Sequence, residues 1–324
     1  MTALLAVTDL RVALPSARGA VEAVCGVDLR IERGETLGLI GESGCGKSMT
    51  ALAVMGLLPE GAQVRGSIRF DGQELVGLDD AAMCSLRGRR IAMVFQEPMT
   101  ALDPLQPLWK LVSASLRVHR GLDARSARAE ALRLLERVRL PQAAQRLDAR
   151  VHQLSGGQRQ RVMIAAALAC GPELLIADEP TTALDATLQR EILGLLDQLV
   201  REDGMGLLLI SHDLAATARS VARVKVMYGG TVVEEGPTAA VFATPAHPYT
   251  RGLVAARPRV GAPRGTALAT IPGRVPALGD LPAGCPFSDR CGWVVEDCHA
   301  ALPPTVDCGE ARAARCIRLG DISL

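Results

Sequence analysis

The sequence predicts an α/β fold built around a parallel β-sheet, and two observations support this prediction. Two continuous apolar runs, "PELLIADEP" and "MGLLLISHD", are typical of strands covered on both faces of a parallel sheet. These runs alternate with segments of helical periodicity, as expected when crossover helices connect parallel strands. The length of 324 residues allows one large domain and one smaller domain.

The elements follow in order along the chain. "LLAVTDLRVAL" and "AVCGVDLRI" predict two early strands, and "ETLGLIGESGCGKSMTALAVMGLL" predicts a buried strand, a Gly-rich turn and a helix. "GSIRFDGQEL" and "RRIAMVFQEP" predict further strands, the second stopped by Pro98. From about Leu105 to Arg146 apolar residues recur at helical spacing, and "RVKVMYGGTVVEEG" predicts a hairpin. The sequence therefore predicts a sheet interrupted by a helical block.

The domain organisation follows from changes in composition. Pro and Gly become frequent after about Val254, and helical patterning fades there. We therefore predict a domain over residues 1–255, with a helical subdomain at about 100–165, and a Cys-rich extension over 256–324. The net charge of +1 gives no sign of a nucleic-acid partner. No apolar run reaches the roughly 18 residues that a membrane span needs, and no signal peptide is recognisable, so we expect a cytosolic protein.

The Gly-rich turn carries the first recognisable chemistry. "GESGCGKS" matches every fixed position of the phosphate-binding loop and lies between a predicted strand and helix. Its backbone N–H groups and the following helix N-terminus favour phosphate, the Lys47 ammonium can reach the β- and γ-phosphates, and the Ser48 hydroxyl can bind Mg²⁺. The predicted ATP-binding residues of this segment are Gly41, Ser43, Gly44, Cys45, Gly46, Lys47, Ser48 and Met49.

Two carboxylates complete the predicted site. Asp178 follows a buried strand and can hold the Mg²⁺ shell, whereas the adjacent Glu179 can polarise an attacking water. Two acids after an apolar strand would also suit a simple strand-end turn. The phosphate-binding loop upstream favours the functional interpretation.

Four further motifs resemble those of one protein family. "LSGGQRQRVMIAAAL", which starts at Leu154, resembles the signature motif of ATP-binding cassette (ABC) ATPases. "VFQEP" resembles their Q-loop, with Gln96; "ALD" at 183–185 resembles the D-loop; and "SHD" contains the counterpart of the switch histidine, His212. With the loop and the carboxylates, these motifs cover roughly residues 36–213 in the family's order.

The resemblance implies a role for each matching residue. It implies catalytic roles for Glu179, His212 and Gln96, and Mg²⁺ ligation by Ser48, Gln96 and Asp178. It further implies a head-to-tail dimer in which each subunit contributes residues to the partner's ATP, here Ser155, Gly156, Gly157, Gln158 and Asp185. The family usually stacks adenine on an aromatic residue, but here Leu14 takes that position, so stacking of roughly 1–3 kcal/mol would be reduced.

Three runs narrow the resemblance to one group of the family. "FQEPMTALDP", "HPYTRGL" and "GCPFSDRC" resemble segments of the oligopeptide, dipeptide and nickel importer ATPases. The resemblance implies an ATPase that energises peptide import, with nickel import as the alternative within the class. A nucleotide-gated binding module that does not hydrolyse ATP is the alternative from another class. Residues 96–104 are expected to dock a membrane subunit, although their composition also suits a plain surface turn.

The importer group also implies a set of partners. We expect a second ABC ATPase subunit, which favours a heterodimer, together with two transmembrane permease subunits and an extracytoplasmic solute-binding protein. The expected location is peripheral, on the cytoplasmic side of the inner membrane.

The cysteines of the extension form a last candidate site. Cys285, Cys291, Cys298 and Cys316 are spaced C-x5-C-x6-C-x17-C, unlike the paired C-x2-C of zinc ribbons. Four buried thiols that pack the tail and a four-thiolate zinc site are two interpretations. The third is an iron–sulfur cluster of the 4Fe–4S type, which tolerates varied spacing and which the resemblance favours. In each metal interpretation Cys308 is not a ligand.

Overall fold

The structure is a computed structural model that describes residues 3–17, 19–182, 184–257 and 269–322. The described chain folds into two compact units. The first unit contains the described residues up to Leu5, the short segment Ile31–Thr36 and the long segment Phe70–Ile210. The second contains Ala6–Arg30, Leu37–Arg69 and the described residues from Ser211 onward.

The strands and helices are numbered in chain order over the described residues. The strands are β1 (Leu5–Ser16), β2 (Gly19–Ile31), β3 (Thr36–Ile40), β4 (Gln63–Phe70), β5 (Gln73–Glu74), β6 (Ile91–Val94), β7 (Leu174–Asp178), β8 (Gly206–Ser211), β9 (Arg223–Tyr228), β10 (Thr231–Pro237), β11 (Val306–Gly309) and β12 (Arg312–Ala314). The helices are α1 (Lys47–Met55), α2 (Asp80–Leu86), α3 (Pro98–Ala101), α4 (Leu108–Val112), α5 (Ala114–Arg120), α6 (Ala124–Arg137), α7 (Ala143–Arg146), α8 (Gly156–Leu168), α9 (Ala186–Asp203), α10 (Leu214–Ser220), α11 (Thr238–Ala243) and α12 (Pro248–Ala255).

Three parallel strands form the centre of the first unit. Strand β7 pairs in parallel with β6 on one side and with β8 on the other, with Leu174 opposite both Ile91 and Gly206. Every residue of these three strands is buried. The continuous apolar runs therefore form parallel strands, as the sequence predicts.

The predicted helical block is also present in the first unit. Six helices, α3 to α8, lie between Pro98 and Leu168, and α4 and α6 pack against each other and against α8. The buried face of α6 consists of small and branched apolar residues, as expected for an amphipathic helix. The limits of a helical subdomain at about 100–165 stay a prediction.

The second unit contains two groups of strands. The first has the order β2-β1-β4, and the second has the order β11-β12-β10-β9-β3. Strand β3 pairs in parallel with β9, and β9 and β10 form the predicted antiparallel hairpin. Strand β12 adds to the edge of β10, with Glu234 opposite Ala314. The sequence analysis did not predict β11 and β12, because such short, partly exposed strands carry little alternation of polar and apolar residues.

The remainder of the extension is irregular in its described part. Helix α12 ends at Ala255, and from residue 269 the chain forms short 3₁₀ turns before it reaches β11. Among the described residues, no helix combines the length and the apolar character that a membrane span requires.

Candidate functional site

The phosphate-binding loop connects β3 to α1 in the second unit. Gly41, Gly44 and Gly46 have φ angles of 154°, 83° and 101°, a region that favours glycine. A Cβ atom on Gly41 would lie 2.2 Å from the Met227 carbonyl oxygen, and one on Gly46 would lie 2.5 Å from that of Ala23. Gly41 and Gly46 therefore allow close backbone packing, whereas a Cβ on Gly44 would meet nothing within 4 Å. The loop has the open, glycine-rich backbone that suits a phosphate group.

Lys47 begins α1 and is almost completely buried, with 4% exposure. Its ammonium group donates hydrogen bonds to the carbonyl oxygens of Gly41 and Glu42, at 2.8 and 2.9 Å. The buried thiol of Cys45 lies 3.7 Å from the same nitrogen, and burial raises the pKa of that thiol. The backbone of the loop thus surrounds the Lys47 ammonium group, and the role of Lys47 in binding the β- and γ-phosphates stays a prediction.

The two predicted carboxylates lie at the carboxyl end of β7. Asp178 and Glu179 are 5% and 9% exposed. Glu179 has a φ angle of 45°, which is uncommon for a non-glycine residue and frequent at functional sites. Its backbone N–H donates to the Ile210 carbonyl oxygen at 2.9 Å, which fixes this turn against β8.

The structure brings two of the predicted catalytic residues together. The Gln96 side-chain amide donates to Glu179 Oε2 at 3.2 Å, and the Thr182 hydroxyl donates to the same oxygen at 3.0 Å. Gln96 is exposed just beyond β6, whereas Glu179 is buried. This contact joins the predicted Q-loop to the predicted water-polarising carboxylate, and Thr182 is a partner that the sequence analysis did not identify.

The other residues that are predicted to contact the nucleotide lie in the second unit. His212 is exposed between β8 and α10, and Ser48 and Met49 are half-buried in the first turn of α1. Leu14, the predicted adenine contact, is half-buried near the end of β1. Ser43 is exposed in the loop. Their predicted roles in nucleotide binding stay predictions.

The predicted signature motif forms the start of α8. Ser155 is the N-cap: its hydroxyl accepts from the Gln158 N–H, while the Gln158 side-chain oxygen accepts from the Ser155 N–H. Ser155 and Gly156 are exposed, and Gly157 is buried with only 2.5 Å between its ideal Cβ position and the Leu188 side chain. The motif therefore presents a rigid, capped helix N-terminus at the surface, which favours an anion.

Asp185 plays a similar capping role at the next helix. Its carboxylate accepts from the N–H groups of Thr187 and Leu188, at 2.9 and 3.0 Å, and so begins α9. The prediction that Asp185 reaches toward a partner's site therefore concerns a residue already hydrogen-bonded within its own chain. Ala183, in the same motif, lies outside the described residues.

The four tail cysteines line one small cavity together with His247 and Phe287. Cys285 and Cys298 are buried, Cys291 and Cys316 are half-buried, and the Cys285 N–H donates to the Cys298 carbonyl oxygen at 2.7 Å. Burial raises the pKa of Cys285 to about 11. All nine cysteines lie in the described part of the chain and are free thiols.

The cysteine cavity does not support the predicted metal site. The thiols have the chemistry for zinc or an iron–sulfur cluster. Within the described residues, however, no three His, Cys, Asp or Glu side chains are arranged so that they could hold a metal ion. The four tail cysteines therefore match a zinc or iron–sulfur site in residue type but not in geometry. Cys308 lies apart on β11, where its thiol donates to the Val306 carbonyl oxygen.

An exposed apolar patch follows the Q-loop. Phe95 precedes α3, Met99 lies within it and Leu105 follows it, and these residues are 37%, 44% and 80% exposed, in that order. Thr100 and Ala101 are exposed on the same helix. Apolar side chains grouped at a surface are a common feature of protein interfaces.

Two family models match the chain. The "ABC transporter" model matches residues 24–182, and the "Oligopeptide/dipeptide transporter, C-terminal region" model matches residues 233–298. The first match spans the loop, the Q-loop, the signature motif and the carboxylates described above. The second spans α12 and three of the four candidate cysteine ligands.

Relatives and solved structures agree with these matches. The oligopeptide transport ATP-binding protein OppD of Salmonella typhimurium is 45% identical over 93% of this chain and 89% of its own length. A Brucella ovis protein, provisionally named as a peptide import ATP-binding protein, is 46% identical over 99% of this chain and 98% of its own. The dimeric ATP-binding cassette MJ0796, in a post-hydrolysis state bound to ADP and Pi, has 30% identity and a TM-score of 0.66 over 72% of this chain and 98% of that one.

The fold and the matched motifs define an ATP-binding cassette ATPase. The chain belongs to the ABC transporter family, in the group of ATP-binding subunits that carry the oligopeptide/dipeptide transporter C-terminal region. The α/β cassette fold and the family that the sequence predicts are thereby confirmed.

Proposed function

We propose that this chain hydrolyses ATP to energise the import of oligopeptides or dipeptides across the cytoplasmic membrane. The observation that carries this proposal is the joint presence of a formed phosphate-binding loop around Lys47 and a Gln96–Glu179 contact at the end of β7. The names of the 45–46% identical relatives support both ATP binding and peptide import. ATP hydrolysis is the predicted enzyme activity, and the cassette family supports it.

The predicted site residues divide into one group that binds phosphate and one group that activates water. The loop N–H groups and Lys47 bind the β- and γ-phosphates, and Glu179, oriented by Gln96 and Thr182, holds the attacking water and takes up its proton. Ser48, Gln96 and Asp178 are the residues expected to hold Mg²⁺, which neutralises phosphate charge when bound. His212 is expected to contact the γ-phosphate.

The assembly is part of the proposal. Ser155 and the first N–H groups of α8 point to a binding site for an anion at an exposed surface, which suits the γ-phosphate of ATP on a second cassette subunit. We propose a heterodimer of such subunits beneath two transmembrane permease subunits, fed by an extracytoplasmic solute-binding protein. The chain would then lie at the cytoplasmic side of the inner membrane, with residues 1–255 as cassette and 256–324 as extension.

The exposed patch at Phe95, Met99 and Leu105 is the proposed docking site for a permease helix. Its place beside Gln96 would let movement of the membrane subunits reach Glu179 through the contact described above. Crosslinking from cysteine introduced at Thr100 to a permease loop is expected in the assembled complex. The absence of any crosslink there would indicate a plain surface turn.

Metal binding by the tail stays a prediction that the geometry of the thiols does not support. Anaerobically purified protein with about four Fe per chain would favour the iron–sulfur cluster. One Zn per chain would favour the four-thiolate zinc site. Metal-free protein with a protease-resistant tail would favour packing of free thiols.

The substrate is tested by uptake in cells that lack this gene. We expect the deletion to abolish uptake of labelled dipeptides or oligopeptides and the native gene to restore it. A strain that carries a Glu179→Gln copy should remain deficient. Loss of nickel uptake with normal peptide uptake would instead select the nickel alternative.

A further inference from the structure

The extension holds the phosphate-binding loop directly, through a pair of residues that are far apart in sequence. Arg290 donates from Nη1 to Glu42 Oε2 at 2.6 Å and from Nη2 to Glu42 Oε1 at 3.2 Å. The Arg290 side chain is 5% exposed and that of Glu42 is 29% exposed. A two-pronged, largely shielded pair of this kind is stronger and more directional than a surface ion pair.

Arg290 is itself fixed in place. Its Nε donates to the Pro272 carbonyl oxygen at 2.8 Å, and Nη1 also donates to the Tyr228 hydroxyl at 3.3 Å. Phe287, at the start of the same turn, packs edge-on against Tyr228 and lies 5.4 Å from the Tyr249 ring. The guanidinium therefore has one defined position relative to the loop, set by an aromatic cluster of the second unit.

A second contact restrains the same loop residue. The Glu42 backbone N–H donates to the Tyr249 hydroxyl at 2.8 Å. The Glu42 carbonyl oxygen in turn accepts from the Lys47 ammonium group at 2.9 Å. The two peptide groups that flank the Glu42 Cα are thus each held, one by Tyr249 and the other by the loop lysine.

We propose that Arg290 is a positioning residue for ATP binding: through Glu42, it fixes the loop backbone in the conformation that binds phosphate. The inference rests on the proposed ATPase function and gives the extension a role in that function. A loop that must order itself on binding has a lower affinity than a loop already ordered. Arg290 therefore increases the affinity for ATP. The rate of hydrolysis in the ATP-saturated enzyme depends instead on Glu179.

The test is a double-mutant cycle on the full chain. We expect Arg290→Gln and Glu42→Gln each to weaken binding of a fluorescent ATP analogue about tenfold, the scale of one lost charge-assisted hydrogen bond. The double variant should bind no worse than either single variant, since both remove one interaction. The kcat at saturating ATP should stay within about threefold of wild type, and Arg290→Lys should restore part of the affinity but not the two-pronged geometry.

Arg312 supplies the matched control. It also ties the extension to an earlier part of the second unit, because its guanidinium donates to the carbonyl oxygen of Thr244, a residue outside the loop, at 2.7 Å. Arg312→Gln should leave ATP affinity at the wild-type value even where it lowers the melting temperature.

Three results would overturn the inference: wild-type affinity in both single variants, additive losses in the double variant, or an equal loss in Arg312→Gln. Normal ATP hydrolysis by the wild type alongside any of these would leave the proposed function intact. Failure of the wild type to bind ATP would instead count against the proposed function.

Discussion

In the proposed mechanism, Glu179 is the residue on which hydrolysis depends most directly. Its carboxylate is buried, sits on a strained turn and accepts from both Gln96 and Thr182, so its oxygens are held in fixed positions. Such a fixed carboxylate can orient a water and accept its proton, whereas a neutral amide cannot accept that proton.

We expect Glu179→Gln to retain ATP binding and to reduce hydrolysis by roughly two or more orders of magnitude. The trapped ATP should stabilise the dimer. The measurement is steady-state phosphate release together with ATP affinity, with the exposed Glu60→Gln as control. Hydrolysis at the wild-type rate in the assembled transporter would show that another group polarises the water.

His247 gives a pH dependence to folding. It is buried, its Nδ1 accepts from the Tyr249 N–H, and burial lowers its pKa to about 3 from an ordinary value of 6.5. Between these two values the unfolded chain binds a proton that the folded chain excludes. Stability is therefore unaffected above about pH 6.5 and falls as the pH decreases below it, by about 1.4 kcal/mol per pH unit at most.

We expect His247→Asn, which keeps a capping acceptor, to reduce this loss between pH 6.5 and 5.5. The measurement is the free energy of unfolding of both proteins across that interval. Glu234 accepts from the His247 N–H, and burial raises its pKa. Because Glu234 is present in the wild type and in the variant, its contribution to the pH dependence cancels when the two free energies of unfolding are subtracted. An equal slope in the two proteins would contradict the assignment.

At the scale of elements, the close approach of α8 and α9 depends on Gly157. A Cβ atom there would lie 2.5 to 2.9 Å from three atoms of the Leu188 side chain. The whole side chain would have to move, so we expect Gly157→Ala to destabilise the fold by about 1–3 kcal/mol.

Gly194, within α9, provides the control for this substitution. Nothing lies within 4 Å of its ideal Cβ position. We expect Gly194→Ala to stabilise the helix by roughly 0.5–1 kcal/mol. Chemical denaturation of both variants measures the difference, and equal stabilities would show that α8 and α9 can separate without cost.

The elements also show what sequence patterns can predict. The runs that became β6, β7 and β8 were predictable because burial on both faces requires continuous apolar residues. Glu179 could be predicted as a site residue because it follows such a strand, whereas Gln96 was predicted from the resemblance of its motif to the Q-loop. Strands β11 and β12 were not, because the backbone pairing of β12 with β10 and of β11 with β12 needs no side-chain pattern. The Arg290–Glu42 pair was not either, because no periodicity links residues 248 positions apart.

At the scale of the whole molecule, the proposed dimer divides each ATP site between two chains. In this proposed dimer Lys47 would act on the ATP of its own chain, whereas the N-terminus of α8 would act on the ATP of the partner. We expect Lys47→Ala to weaken ATP binding in its own site and Ser155→Arg to stop hydrolysis at the partner's ATP, because a bulky cation would enter the interface. When the two variants are on opposite subunits, one intact site remains.

Mixed dimers test this arrangement. Partial recovery of ATPase activity is expected when each subunit carries a different variant, and none when one subunit carries both and the partner carries either. Activity that is independent of protein concentration and of the partner would contradict the shared site.

The central claim is that this chain couples ATP hydrolysis to peptide import, and ATP hydrolysis by the assembled transporter in proteoliposomes tests it most directly. We expect the complex to hydrolyse ATP faster when the solute-binding protein carries a peptide, and this stimulation to disappear with Glu179→Gln. Hydrolysis that does not respond to the peptide-loaded binding protein, or that persists unchanged in Glu179→Gln, would contradict the account.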